Sequence, residues 1–355
     1  MTRPRQRVAL ALAVGLAALL PAGAPAASPA PAPAADRITL VTHDSFALTP
    51  EVLAVFTERT GVAVEILTAG DAGSLVNQSI LAGDRPLGDV IFGIDDAFLS
   101  RALDAGILEP YRPAALAEVP AALVLDPEGR ATPIDYGDVC LNVDLAAFGG
   151  DGPPLPTTLD DLLLPAYRDL LVVQDAATSS PGLAFLLATI ARYGEDGWRD
   201  YWAGLRANGL LVAADWTDAY YTRFSGGAGE GDRPIVVSYA SSPVAEVIYA
   251  DPRPATPPTG VIEDGCYRQI EHAGVLRGTD APAEARAFVD FLLSPEVQGD
   301  IPLNMFVSPV LPGAPVPDDY RAFAVVPAAP LRVDPAVIAA ERDRWIAEWT
   351  EVVLR

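Results

Sequence analysis

Strand signals and helix signals alternate from residue 37 to residue 106, and each helix closes on a glycine. Arg37–His43 is a β-branched run. Thr49-Pro50 then supplies an N-cap and a proline at the first helical position, and Gly61 ends the helix. Val62–Leu67 reads as a second strand and Ser74–Leu81 as a helix ending at Gly83. Asp89–Phe92 reads as a short buried strand and Asp95–Ala105 as a helix stopped by Gly106. This order predicts a mostly parallel sheet with helices on both faces.

A second α/β unit starts after Asp135-Tyr136-Gly137. It holds strands at Val139–Val143, Leu170–Val173, Leu210–Ala213 and Pro234–Tyr239. Its expected helices are Pro181–Arg192, Gly197–Asn208, Thr217–Phe224 and Pro243–Ala250. Arg253–Pro258 is proline-rich and loop-like. Cys266–Leu276 reads as a strand returning to the first unit, and Ala281–Leu293 and Pro335–Val353 read as amphipathic helices. The expected fold is α/β with two lobes. Residues 37–137 plus 267–355 form lobe 1, residues 138–266 form lobe 2, and the chain crosses near 137 and 266. Such a cleft suits hinge closure on a ligand.

The N-terminus carries Arg3, Arg5 and Arg7, then the apolar run Val8–Leu20 and the small residues Ala24-Pro25-Ala26. This is the pattern of a secretory signal peptide over residues 1–26, and the run is short for a membrane span. No cysteine follows it, so lipid anchoring is not expected, and residues 27–36 read as an Ala/Pro spacer. The expected location is the periplasm or cell exterior.

The chain has 355 residues, with 47 acids against 24 bases and a formal charge of −23. None of the bases is lysine, which excludes a P-loop and Schiff-base chemistry. This acidity argues against nucleic acid as a partner. With two histidines and no C-x-x-C or H-E-x-x-H, the sequence supports no zinc site, and no metal ligands are expected in the main reading. The Gly226–Gly231 loop does not open a helix and reads as a surface turn. In an exported chain, the two cysteines, Cys140 and Cys266, favour one disulfide near the lobe crossings over two buried thiols.

Three constellations remain. Thr178-Ser179-Ser180-Pro181-Gly182 and Ala240-Ser241-Ser242-Pro243 each open a helix. Free N–H groups and hydroxyls there suit a phosphate, although either alone reads as ordinary capping. Trp216, Tyr239, His43 and Phe306 sit at strand ends or in loops, where a flat ligand would stack. Asp44, Asp71 and Asp95 follow strands of the first lobe. As a set with the aromatics, they suit a cationic planar ligand.

With these residues together, the chain resembles the thiamine-binding proteins that serve ABC importers. The resemblance spans about residues 40–350. It is carried by Thr42-His43-Asp44-Ser45-Phe46, Asp135-Tyr136-Gly137, Thr178–Leu183, Trp216–Tyr220, Val237–Pro243 and Ile301-Pro302. It implies a two-lobed periplasmic-binding fold of the second structural type and capture of thiamine or its mono- and diphosphate. It also implies a membrane permease and an ATPase as partners, with no enzymatic step and no cofactor. A monomer is expected. Carried over by position, ligand contacts fall at Asp71, Ala72, Ser179, Ser180, Trp216, Tyr239, Ala240, Ser241 and Ser242. His43 stands where the family commonly has Tyr, and Phe306 where it has Trp.

Two rivals share the architecture. A ferric-ion-binding protein would use Tyr220-Tyr221 with His43. A thiaminase-like transferase would use Cys140 as nucleophile, which a disulfide to Cys266 would remove.

Overall fold

The computed structural model describes residues 35–355. The expected export segment at 1–26 and most of the spacer lie outside the described residues. β1 (Arg37–Thr42), α1 (Pro50–Thr60), β2 (Ala63–Thr68), α2 (Ala72–Ala82), β3 (Val90–Asp95) and α3 (Asp96–Ala105) follow the expected alternation. Thr49 caps α1 and Asp95 caps α3 through side-chain oxygens, and Gly61 and Gly106 end these helices in the left-handed conformation.

After β4 (Leu108–Glu109) comes the long β5 (Thr132–Asp144). Then follow β6 (Leu171–Gln174), α4 (Ser180–Ala207), β7 (Leu211–Ala213), β8 (Ile235–Tyr239) and α5 (Ser242–Ile248). The second long strand, β9 (Thr259–Leu276), is followed by α6 (Pro282–Leu292), α7 (Pro295–Asn304), β10 (Ser308–Pro309), α8 (Asp318–Phe323) and α9 (Pro335–Leu354).

Two local readings change. The two helices expected between Pro181 and Asn208 form one element, α4, broken at Gly194, whose φ is 70°. The helix expected over Thr217–Phe224 is a π-helical stretch at Asp218–Arg223. Such wide turns are often placed at functional sites.

The sheet runs β2-β1-β3-β9-β5-β8-β6-β7, with β10 on β5 and β4 on β9. The β2-β1-β3 and β7-β6-β8 ends are internally parallel, and β5 and β9 join them as an antiparallel pair. Hydrogen bonding is therefore continuous across both lobes. The sequence reading starts β5 at Val139 and β9 at Cys266, too late by seven residues in each case. Asp135 and Asp138 before Val139, and Glu263-Asp264-Gly265 before Cys266, interrupt the apolar signal. Register shifts at Pro133/Asp135 and Val139/Leu141 bend the pair where the lobes meet.

Cys140 and Cys266 form a disulfide beside the second shift, in a small apolar cluster with Ala240. The first turns of α4, Ser180–Ile190, are buried on all sides, as expected of a helix apolar all round. α9 lies across both lobes. Trp349 meets Trp202 of α4 edge-on at 5.6 Å, and the Arg342 guanidinium sits 5.4 Å from the Phe98 ring of α3. Each fully buried large apolar side chain here contributes about 1.5–3 kcal/mol.

Candidate ligand-binding site

A cavity of about 370 Å³ opens where strand ends and helix starts of both lobes converge. His43 follows β1, Asp71 precedes α2 and Ser180 opens α4. Trp216 follows β7, Tyr239 ends β8, Ser242 opens α5 and Phe306 follows α7; all seven line the cavity. Placement at strand ends follows from the open α/β architecture, in which the loops beyond the strands are free to meet a ligand.

One end of the cavity is acidic. His43 Nε2 lies 3.5 Å from the Glu271 carboxylate, and both side chains are buried. The His43 ring sits against Gly93, whose φ is +99° and where an added Cβ would come within 2.1 Å of the ring. Burial by itself lowers the His43 pKa, but Glu271, Asp71 and Asp44 outweigh it and raise it above the ordinary value. Burial opposes ionisation of Glu271 too, yet His43 holds it below its usual range. Glu271 pairs in register with Asp135, whose carboxyl is fully buried without a hydrogen-bond partner and is pushed well up by burial and by Glu271.

The start of α4 meets two acids, Asp71 and Asp95. The Asp71 carboxylate accepts the N–H of Ala72 at 2.7 Å and that of Ser180 at 3.3 Å. Burial raises the Asp71 pKa. The Ser180 hydroxyl donates to Asp95, which itself caps α3 by accepting the Phe98 N–H at 2.9 Å. Burial and the adjacent Asp96 push Asp95 up to about 7. Asp96 accepts from Tyr267 Oη at 3.0 Å and is raised by burial to about 6. Asp95 and Asp96 thus lie beneath the cavity and not in its lining.

The other end is aromatic. Trp216 stacks on Tyr220 at 5.0 Å and 19°, and its indole N–H donates to Ser238 at 2.9 Å. Tyr220 donates to Glu246 at 2.6 Å. Burial raises the Glu246 carboxyl, against hydrogen bonds from Tyr220 and the Ala228 backbone. Phe306 has a φ of 56°, unusual for a side chain of this size, and its carbonyl accepts from the Ser241 hydroxyl. Its ring meets Tyr249 edge-on at 5.8 Å.

The remaining expected contacts lie just outside the lining. Asp44 is exposed and accepts the Gly70 N–H at 3.2 Å. Ala72 and Ser179 are buried at the starts of α2 and α4. Ala240 and Ser241 face a small crevice beside the cavity. Cys140 is tied up in its disulfide and does not line the cavity.

The Gly226–Gly231 loop is not only a surface turn, because Gly227 and Ala228 line the cavity. It folds inward because Gly227 approaches the Glu246 carboxylate so closely that an added Cβ would sit 2.1 Å away. Glu246, Glu271 and Tyr249 also line the cavity and were missed. Glu246 was accessible in principle, since it lies four residues after Ser242 on one helical face. Glu271 and Tyr249 carried no local signal. Among the described residues, no cluster of three or more His, Cys, Asp or Glu is arranged to hold a metal ion.

The family described as bacterial extracellular solute-binding protein matches residues 85–339. The chain is 28% identical over 323 residues to a thiamine-binding periplasmic protein of Escherichia coli strain K12. That match covers 90% of this chain and 94% of the relative. A solved periplasmic thiamin binding protein superposes with a TM-score of 0.77 at 26% identity, covering 92% of this chain and 99% of that one. Iron-bound HitA from Pseudomonas aeruginosa shares the fold with a TM-score of 0.72 at 23% identity, covering 89% and 99%.

Proposed function

Because the chain belongs to the bacterial extracellular solute-binding proteins, we propose that it captures thiamine or its phosphate esters outside the cytoplasm and hands them to the permease and ATPase of an ABC importer. The observation that carries this reading is the cavity lining. Asp71, Glu246 and Glu271 put negative charge beside the rings of Trp216, Tyr239 and Phe306. A planar ligand with a fixed positive charge gains from both, through charge attraction and from the ring faces. The name of the Escherichia coli relative supports the same ligand.

We take residues 37–137 with 267–355 as one lobe and 138–266 as the other. The bent β5–β9 pair is the hinge between them, and the protein works as an exported monomer without a lipid anchor. Ligand binds to the open form and the lobes close on it, with no bond made or broken. The direct contacts are Asp71, Ser180, Trp216, Tyr239, Ser242, His43 and Phe306. Asp44, Ala72, Ser179, Ala240 and Ser241 support them from behind.

The iron alternative is weaker. Tyr220 is buried and committed to Glu246, while Tyr221 is turned partly to solvent. Calorimetric titration of the purified mature protein with thiamine, and separately with ferric citrate, tests the reading. Saturable thiamine binding is expected. Binding of iron without thiamine would replace it.

A further inference from the structure

We propose that Glu246 makes this site a selector for the unphosphorylated cation, so that thiamine is bound in preference to its phosphate esters. The inference rests on the thiamine reading above and ranks the ligands within it.

Glu246 is 6% exposed and faces the cavity from α5. One carboxylate oxygen accepts the Tyr220 hydroxyl at 2.6 Å, and the backbone of the Gly227 turn packs against the group. Both neighbours are neutral. No arginine lines the cavity, and lysine is absent from the chain. A buried carboxylate without a counter-cation is costly. The open side of Glu246 is the cavity itself, so a cationic ligand supplies the missing charge.

The same lining opposes a phosphate. Asp71 and Glu271 add negative charge at the far end, and His43 there is already paired with Glu271. The helix start that would ordinarily attract an anion is occupied, since the Ser180 N–H donates to Asp71 and the Ser180 hydroxyl to Asp95. α5 is only seven residues long, and the Ser242 hydroxyl lies 2.8 Å from that of Ser238. A phosphate ester would enter among three carboxylates, with the Ser180 donors engaged and no guanidinium to meet it.

The test is calorimetric titration of the mature protein with thiamine and with thiamine monophosphate, for wild type and Glu246→Gln. Wild type is expected to bind thiamine at least tenfold more tightly. Glu246→Gln should narrow that ratio at least fivefold, chiefly by weakening thiamine, while the unliganded variant melts at or above the wild-type temperature. An unchanged ratio in the variant would mean that Glu246 only shapes the loop, and would overturn the proposal. Should the variant not fold, the wild-type ratio decides alone, and equal or tighter binding of the monophosphate overturns it. Wild type that binds thiamine without preference sinks this inference only. Wild type that binds neither compound sinks the functional reading as well.

Discussion

The Asp71 carboxylate accepts the backbone N–H of Ser180 at 3.3 Å, although the two residues lie 109 positions apart. One side chain thereby caps α2 within its own lobe and holds the start of α4 from the other. Asp71→Asn keeps an acceptor oxygen and removes the charge. Thiamine affinity should fall at least tenfold by calorimetry. The unliganded melting temperature should hold or rise, because a carboxylate that burial disfavours has been neutralised. An affinity within twofold of wild type would remove Asp71 from ligand contact.

Trp216 is the one tryptophan in the cavity lining, whereas Trp198, Trp202, Trp345 and Trp349 are buried in the core. A thiamine-dependent change in tryptophan fluorescence should therefore vanish in Trp216→Phe while binding persists. Trp216→Ala should cost more than ~1 kcal/mol of affinity through lost stacking. Fluorescence quenching that survives Trp216→Phe would show that the signal arises elsewhere.

Stability and affinity should respond to pH in opposite directions. In the unfolded chain Asp95 and Asp96 lose their protons near pH 4, but the folded protein holds them to about 7 and about 6. Between these values the folded state binds more protons, so stability falls as pH rises. His43 acts the same way. Its raised pKa gives stability that is full below its ordinary value of about 6.5 and is lost as pH climbs through the folded value. His272, kept neutral to about 4 by burial, opposes them below its ordinary pKa. The three outweigh the one, so the unliganded protein should melt at a higher temperature at pH 5.5 than at pH 8. Protonation also removes negative charge around the cavity, so thiamine should bind more weakly at pH 5.5. Tighter binding there would contradict the charge argument.

The Cys140–Cys266 disulfide closes a loop with a sequence separation of 126 between strands that are already paired. Replacing both cysteines with Ala should cost ~2–5 kcal/mol, mainly by freeing the unfolded chain. A denaturant titration measures this. Because neither cysteine lines the cavity, thiamine affinity should stay within threefold.

Gly93 should not tolerate a side chain. Gly93→Ala strains a backbone at φ +99° and drives a methyl group into the His43 ring. The expected result is a destabilisation of more than ~1 kcal/mol and a loss of thiamine affinity, with His43 displaced from Glu271. Wild-type behaviour in both measurements would show that the ring moves freely.

Local chemistry determined much of this protein from the sequence alone. Thr49 and Asp95 announce helix starts because a side-chain oxygen answers a backbone N–H three residues on. Gly61 and Gly106 announce helix ends because the left-handed conformation disfavours other residues. The strand-end positions of His43, Trp216 and Tyr239 follow from that alternation. Tertiary structure alone decided which groups meet. Asp135 and Glu271 look like polar interruptions of a strand, and only the pairing of β5 with β9 turns them into a buried pair beside His43. The Ser-Ser-Pro segments read as free anion cradles until the fold brings Asp71 and Asp95 to the start of α4. Glu246 gains its meaning from Tyr220 and Gly227, which reach it from a separate segment of the chain. A hydrogen bond within one turn is set by spacing along the chain, whereas desolvation and charge pairing depend on neighbours that only folding supplies.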